Sequence, residues 1–385
     1  MQREITHFAG STARAAYVHV PFCRHRCGYC NFTVVAGRDD LVDRYLEALA
    51  RELSWLERPR PVDTLFIGGG TPTHLAAAQL ERLLATVLEW FPLDPGAEFS
   101  IEGNPADVDD ERVRILARHG VTRISLGGQS FDARKLAILE RDHRPAGVAR
   151  AVELARERIG SVSLDLIFAA PGETLDVWRA DLAAALKLRP DHLSSYGLTY
   201  ERGTAYWSRR ARGQLSPVDE ETELAMYAEA IDTLSSAGFE HYEVSNFARA
   251  GHRCRHNEVY WNADEYHAAG PGAARYIGGR RETNHKSTTT WLKRVLAGQS
   301  PVAECETLSA EDKAREALVL GLRRLEGVDR VAFARRWHRD LDDLVGQSLE
   351  RLVGLGLIDD SRGRVRLTRK GLFVSDSIWP EFLTC

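Results

Sequence analysis

From Ala15 to Thr199, short runs of β-branched and apolar residues alternate with longer stretches whose apolar positions recur every three or four residues. The runs are AYVHV (16–20), TLFIGG (64–69), EFSIEG (98–103), TRISLGG (122–128), VSLDLIF (162–168) and HLSSYGLT (192–199). Runs of this length, bounded by glycine, proline or polar clusters, read as strands. Between them, Leu41, Tyr45, Leu49, Leu53 and Leu56 line one helical face, with Asp39 or Asp40 as N-cap. Leu80, Leu83, Leu84, Val87, Leu88 and Phe91 line a second face, Val113, Leu116 and Ala117 a third, and Leu182, Leu186 and Leu188 a fourth. Six strand–helix units in succession predict a parallel sheet with right-handed crossovers. Six are too few for a closed eight-fold barrel, so the expected class is α/β, a partial (β/α)6 TIM-like barrel.

The pattern then changes. Leu224, Tyr227, Ile231 and Leu234 keep helical spacing from roughly Pro217 to Ala237. The segment 238–284 is rich in aromatics, glycine and histidine, has little helical period, and reads as short strands and loops that extend or cover the barrel. The expected organisation is a barrel over 1–237, an aromatic and glycine-rich covering segment over 238–300, and a third unit over 301–385. The boundary falls near 298–308 (GQSPVAECETL). Beyond it come a helix over 311–323, a short helix over 331–337, and a stripe of Leu341, Leu344, Val345, Leu349, Leu352 and Val353. A hairpin, GLIDDSRGRVRLT, and the stretch KGLFVSDSIWPEFL follow, which together resemble a winged helix. The helix in the recognition position, 340–353, carries four acidic residues and one arginine. Phosphate contact needs cations, so no nucleic-acid partner is expected.

Composition narrows the class. The 385 residues are 44% hydrophobic and 28% charged with a formal net charge of -4, ordinary for a globular protein of two or three domains. No apolar run approaches the ~20 residues of a transmembrane helix. The N-terminus, MQREITHFAG, lacks the basic-then-apolar order of a secretory signal. Six cysteines, three of them clustered, suit a reducing compartment, and the expected location is the cytoplasm.

Candidate chemistry concentrates in YVHVPFCRHRCGYCNF (17–32), where Cys23, Cys27 and Cys30 stand in a C-x3-C-x2-C array. Three thiolates can hold three corners of a four-iron cluster and leave the fourth iron open. A zinc site with His19 or His25 as fourth ligand also fits these residue types. Three clustered cysteines cannot all pair among themselves as disulfides. Gly68-Gly69-Gly70-Thr71-Pro72 follows the second strand, Glu102 ends the third, Gln129 follows the fourth and Asp165 lies in the fifth. Each alone reads equally as a rim polar residue or a tight turn, but all fall at the strand ends where parallel α/β folds gather ligands. His256, Asn257, Tyr260 and Trp261 pack polar and aromatic groups into six positions, as a binding patch or as seam filling would.

Taken together, YVHVPFC-x3-C-x2-C, GGGTPT, SIEGNP, GGQSF, DLIF-x2-PGET, HYEVSNFA, HN-x2-YW and RLT-x2-G resemble the radical S-adenosylmethionine (SAM) coproporphyrinogen dehydrogenase family over nearly the whole chain, and within it the heme-chaperone branch. The resemblance implies that Cys23, Cys27 and Cys30 ligate a [4Fe-4S] cluster, and that Tyr17, Tyr29, Gly69, Gly70, Thr71, Glu102, Gln129, Arg141, Asp165 and Thr199 surround SAM. It implies SAM chelating the open iron, and an electron from the cluster cleaving the sulfonium to methionine and a 5′-deoxyadenosyl radical. The dehydrogenase branch resembles C-x3-C-x2-C-x-C, whereas Phe32 stands here at the fourth cysteine, and the long N-terminal arm of that branch is missing. Both departures point to a chaperone that binds heme as cargo and delivers it to a client hemoprotein or respiratory heme protein, with an external electron donor. The alternatives are an oxygen-independent coproporphyrinogen III dehydrogenase or a methyltransferase of the same family. His256, Asn257, Tyr260 and Trp261 match the heme-associated motif, and a homodimer is the expected assembly. Locally the chain departs from the family at Ala169-Ala170-Pro171 for Gly-Leu-Pro, Glu173 for Gln, Glu140 for Gly, and Ala274-Arg275 for a polar pair.

Overall fold

The computed structural model describes residues 13–383, so the N-terminal decapeptide read above for a targeting signal lies outside the described residues. Strands stand where the β-branched runs predict them: β1 (Ala15–Val20), β2 (Val62–Gly69), β3 (Leu93–Gly103), β4 (Arg123–Gln129), β5 (Ser161–Phe168) and β6 (His192–Gly197). All six are parallel and neighbours in chain order. One face of each, including Val18, Ile67, Ile101, Leu126 and Leu164, is buried in the main core. The other face carries Tyr17, Phe66, Glu102, Ser125 and Asp165, which meet one another inside the barrel. Period-two alternation therefore separates an apolar outer layer from a polar interior.

The helices that cover the outer face are α1 (Val42–Ser54), α2 (Ala77–Trp90), α3 (Asp110–Arg118), α5 (Pro145–Arg156), α6 (Leu175–Lys187) and α8 (Glu220–Ser236), while α4 (Ala133–Ile138) follows β4 and α7 (Ala205–Ala211) follows β6, with Tyr206 packed on Leu139, Ile167 and Leu198. The expected N-cap of α1 is corrected. Asp39 and Asp40 form a 3-10 turn, the cap position is Leu41 without a side-chain bond, and the two carboxylates bond His74 and Arg38 instead. A buried ion trio staples the outer layer: Lys135 Nζ of α4 lies 2.5 Å from Glu173 and 2.9 Å from Asp181 of α6, all almost without solvent.

The aromatic segment extends the sheet at both edges. β7 (Glu240–Glu243) and β8 (Asn246–Ala248) add antiparallel beyond β6, and after α9 (Arg255–Trp261), β9 (His267–Ala269) adds parallel beside β1. The order β9-β1-β2-β3-β4-β5-β6-β8-β7 makes a nine-stranded open barrel. The loop expected over HNEVYW is corrected, since that stretch is the helix α9. Its seven residues are too few to show a helical stripe, and Glu98 satisfies its first backbone N–H groups at Arg255 and His256.

Next come β10 (Ala274–Ile277), β11 (Arg280–Asn284), α10 (Thr288–Leu296) and β12 (Val302–Thr307), with the three strands forming one antiparallel sheet. The C-terminal region has α11 (Ala310–Leu322), β13 (Val328–Asp329), α12 (Arg330–Trp337), α13 (Leu341–Gly354), β14 (Ile358–Ser361), β15 (Arg364–Leu367), α14 (Arg369–Phe373) and α15 (Ser375–Leu383). Its three-stranded sheet, β13-β15-β14, and its helices close a separate core around Leu318, Phe333, Leu349 and Phe382. This is the winged-helix-like arrangement. Among the described residues, no helix is long and apolar enough to cross a membrane.

Candidate metal and cofactor site

The cysteine loop leaves β1 and crosses the C-terminal ends of the strands. A two-residue parallel ladder, Phe22–Cys23 with Val35–Ala36, ties its two ends together. Inside the loop, the Cys30 N–H donates to the Cys27 carbonyl at 3.1 Å. The Gly28 carbonyl accepts from the Tyr206 N–H of α7 at 2.8 Å. A Cβ on Gly28 would strike the Tyr206 ring, so only glycine lets α7 close on the loop.

A solvent-open cleft of about 890 Å3 lies beneath the loop. Cys23, Cys27, Cys30, Tyr29, Gly69, Gly70, Thr71, Glu102, Gln129, Arg141 and Asp165 all line it. The three cysteines are unpaired and half-buried. Cys23 Sγ is 3.4 Å from Thr71 Oγ1, and Cys27 Sγ is 3.6 Å from Arg141 Nη1. Burial pushes the Cys23 thiol up to about 12 and raises that of Cys30. Such thiols give up their protons to a bound metal, which deprotonates a coordinating thiol outright. Among the described residues no three His, Cys, Asp or Glu side chains converge on one ion. A four-iron cluster asks for a different arrangement, one sulfur on each of three irons. His19, offered above as a zinc ligand, has its ring nitrogens bonded to the Tyr17 hydroxyl at 2.9 Å and the Thr33 carbonyl at 2.7 Å. His25 lies exposed, 3.7 Å from Glu140.

Two carboxylates face the cleft from the barrel. Glu102 Oε2 accepts the Gly69 N–H at 2.7 Å, where Gly69 has φ 109°. Burial raises Glu102 to about 7; the Gly69 N–H opposes the shift and Asp165 adds to it. Asp165, itself raised by burial, accepts from Ser125 Oγ at 3.0 Å. Arg141 Nη2 is fixed by Asn104 Oδ1 at 2.9 Å and the Gly127 carbonyl at 3.0 Å. Asn104 also donates to Asp142 at 3.0 Å. Sequence reasoning missed Asn104, although the SIEGNP motif contains it.

Three non-glycine residues near this cleft adopt left-handed backbone: Gln129 (φ 62°), Glu140 (φ 55°) and Ala169 (φ 62°). Two of them, Glu140 and Ala169, are the positions where the family pattern has glycine. Each side chain there costs on the order of 1 kcal/mol of backbone strain. Glu140 gains a partner in exchange, because its carboxylate pairs with Arg209 of α7 at 2.7 Å.

The remaining candidates lie elsewhere. Tyr17 sits inside the barrel against Phe66, and Thr199 is exposed beyond β6; neither lines the cleft. His256 is at the opposite end, where α9 covers the starts of β2 and β3. Its Nδ1 lies 3.0 Å from Thr64 Oγ1 and its Nε2 2.8 Å from the Tyr260 hydroxyl. Burial pulls His256 down to about 3, so it stays neutral. With both nitrogens bonded, neither is offered to an iron in this conformation. Asn257 is half-buried beside it. Tyr260 and Trp261 instead line a second, solvent-open cleft between α9, the β10–β11 hairpin and helices α11 and α12. Tyr266, Tyr276, Trp337 and Leu320 add apolar walls; Arg281, paired with Glu316 at 2.6 Å, Lys313 and Asp264 stand among them. The buried Trp261 Nε1 has no hydrogen-bond partner among the described residues.

Comparison with known proteins gives the following. Residues 17–184 match the Radical SAM superfamily and residues 308–374 the HemN C-terminal domain. The chain is 35% identical over 370 residues to "Heme chaperone HemW" of Lactococcus lactis subsp. lactis (strain IL1403), covering 96% of this chain and 97% of the relative. It is 38% identical over 373 residues to "Heme chaperone HemW" of Mycobacterium tuberculosis (strain ATCC 25618 / H37Rv), covering 94% and 93%. It is 35% identical over 387 residues to "Radical S-adenosyl methionine domain-containing protein 1, mitochondrial" of Danio rerio, covering 95% and 86%. Among solved structures, coproporphyrinogen III oxidase (HemN) from Escherichia coli superposes with a TM-score of 0.84 at 24% identity, over 96% of this chain and 90% of that one, a likeness of fold.

Proposed function

Because the chain belongs to the HemW family of heme chaperones, within the radical SAM superfamily, we propose that it binds heme and hands it to client hemoproteins while carrying a [4Fe-4S] cluster and SAM. The single observation that carries the reading is likeness along the whole chain to curated heme chaperones. Phe32 supports it from the sequence, standing where the dehydrogenase branch has its fourth cysteine.

In this reading Cys23, Cys27 and Cys30 hold three of the four irons. The loop from Gly69 to Thr71, with Tyr29, Glu102, Gln129, Arg141 and Asp165, holds SAM, and Tyr17 backs that pocket from within the barrel. When bound, the cluster supplies the electron that opens SAM's sulfonium. The chain's own part is to orient and to exclude water. Arg141, clamped by Asn104 and Gly127, places a fixed positive charge beside Cys27. Glu102, titrating near neutrality, holds the Gly69 loop in its left-handed turn when ionised.

Heme is assigned to the cleft of Tyr260, Trp261, Tyr276 and Trp337. A porphyrin needs apolar, aromatic walls and cations for its two propionates. Lys313 meets the second need, forming no ion pair with any described residue. His256 acts behind the wall by fixing the Tyr260 hydroxyl. The test is hemin titration of the full chain, followed by its absorbance. Trp261→Ala with Lys313→Glu is expected to weaken binding roughly tenfold or more, as removal of an aromatic anchor and a charge does. Unchanged affinity would move the heme elsewhere.

A further inference from the structure

The cluster assignment above, on which this inference rests, requires an electron from another molecule that can reach the cysteine loop. We propose that the surface formed by that loop and α7 is the docking face for a small acidic one-electron carrier protein. The two parts form one surface: Tyr206 bonds the Gly28 carbonyl through its N–H and the Ile138 carbonyl through its hydroxyl, and Arg209 pairs with Glu140 next to Arg141. The chain as a whole is acidic, at -4, yet residues 200–213 hold four arginines against the single carboxylate Glu201. The loop adds exposed Arg24 and Arg26.

These charges are not all neutralised internally. Arg24 meets Asp107 and Asp142, and Arg209 meets Glu140. Arg26, Arg202, Arg210 and Arg212 are exposed and form no ion pair with any described residue. Two of them are held on aromatic faces, Arg202 at 5.9 Å from the Trp207 ring and Arg210 at 5.1 Å from that of Tyr200. Stacking fixes a guanidinium in place and leaves its donors outward. Phe32, 60% exposed, stands with Arg24 and Arg26 at the cofactor cleft, and Trp207 of α7 is 39% exposed. Exposed aromatics interleaved with arginines have the make-up of a transient protein interface. Its sign selects an acidic partner, and opposite charge raises the encounter rate. The transfer moves one electron and no atoms: the reduced carrier is oxidised by one electron and the cluster is reduced by one.

The test uses the full chain with its cluster reconstituted anaerobically, titrated with reduced flavodoxin at low and at physiological salt. Wild-type protein is expected to bind more weakly as salt rises. The variant Arg202→Glu, Arg210→Glu, Arg212→Glu is expected to bind roughly tenfold or more weakly at low salt, with a flattened salt dependence. Dithionite, which needs no docking face, should reduce its cluster as in wild type. Arg150→Glu, on the exposed side of α5, should change nothing. Wild-type-like flavodoxin affinity in the triple variant would overturn the proposal, as would equally tight binding of a single-stranded oligonucleotide to this face. Flavodoxin binding by a wild-type chain that takes up no iron would instead count against the cluster assignment and leave the docking face standing.

Discussion

Glu102 and His256 face the same barrel interior from opposite ends and titrate in opposite senses. Glu102 is raised to about 7 from an ordinary carboxylate value, so the folded chain holds its proton more tightly than the unfolded chain. Its contribution to stability is complete below about 4.5 and is lost as pH rises through 7. His256 is lowered to about 3, so the unfolded chain takes a proton that the folded chain refuses. Its contribution is present above about 6.5 and is lost as pH falls below that value. Urea denaturation across pH 4 to 8 should therefore show Glu102→Gln gaining on wild type toward alkaline pH. His256→Gln should gain on wild type toward acid. Curves parallel to wild type in either case would contradict the assignment. The cysteines were legible because their chemistry is local, three thiols in eight residues. Asn104 was not, because its role is to clamp Arg141, a residue 37 positions away that the sequence does not place beside it.

Among the elements, the barrel strands were read close to their observed bounds, since each buries one apolar face in the core, except β3, which begins at Leu93 and not at Glu98. Seven helices, α4, α5, α7, α9, α10, α14 and α15, escaped, and two of them show why. The buried stripe of α5 is Val148, Ala151, Val152 and Ala155, too rich in alanine to stand out as apolar. In α9 seven residues give only two turns, and its start depends on Glu98, 157 positions before Arg255. The joint between α4 and α6 is the place where one substitution should hurt most. Lys135→Met leaves Glu173 and Asp181 buried without their cation and should lower stability by about 3–5 kcal/mol. Adding Glu173→Gln and Asp181→Asn should recover much of that loss. If Lys135→Met alone unfolds at the wild-type urea concentration, the trio is not a staple.

The whole molecule keeps its two clefts apart. One opens among the C-terminal ends of the strands, and the other lies between α9 and the C-terminal helices, with no lining residue in common. SAM affinity should therefore change less than about twofold when hemin is bound, since distant sites without shared partners act additively. A larger shift would show coupling through the barrel interior. Likeness over the full chain to curated heme chaperones, more than either cleft alone, supports heme transfer. The most direct test is to load the anaerobically reconstituted chain with heme, add an apo-hemoprotein, and follow heme appearance on the acceptor, with a parallel assay for coproporphyrinogen III decarboxylation. Transfer of heme and no decarboxylation is the expected result. Decarboxylation without heme transfer would contradict it.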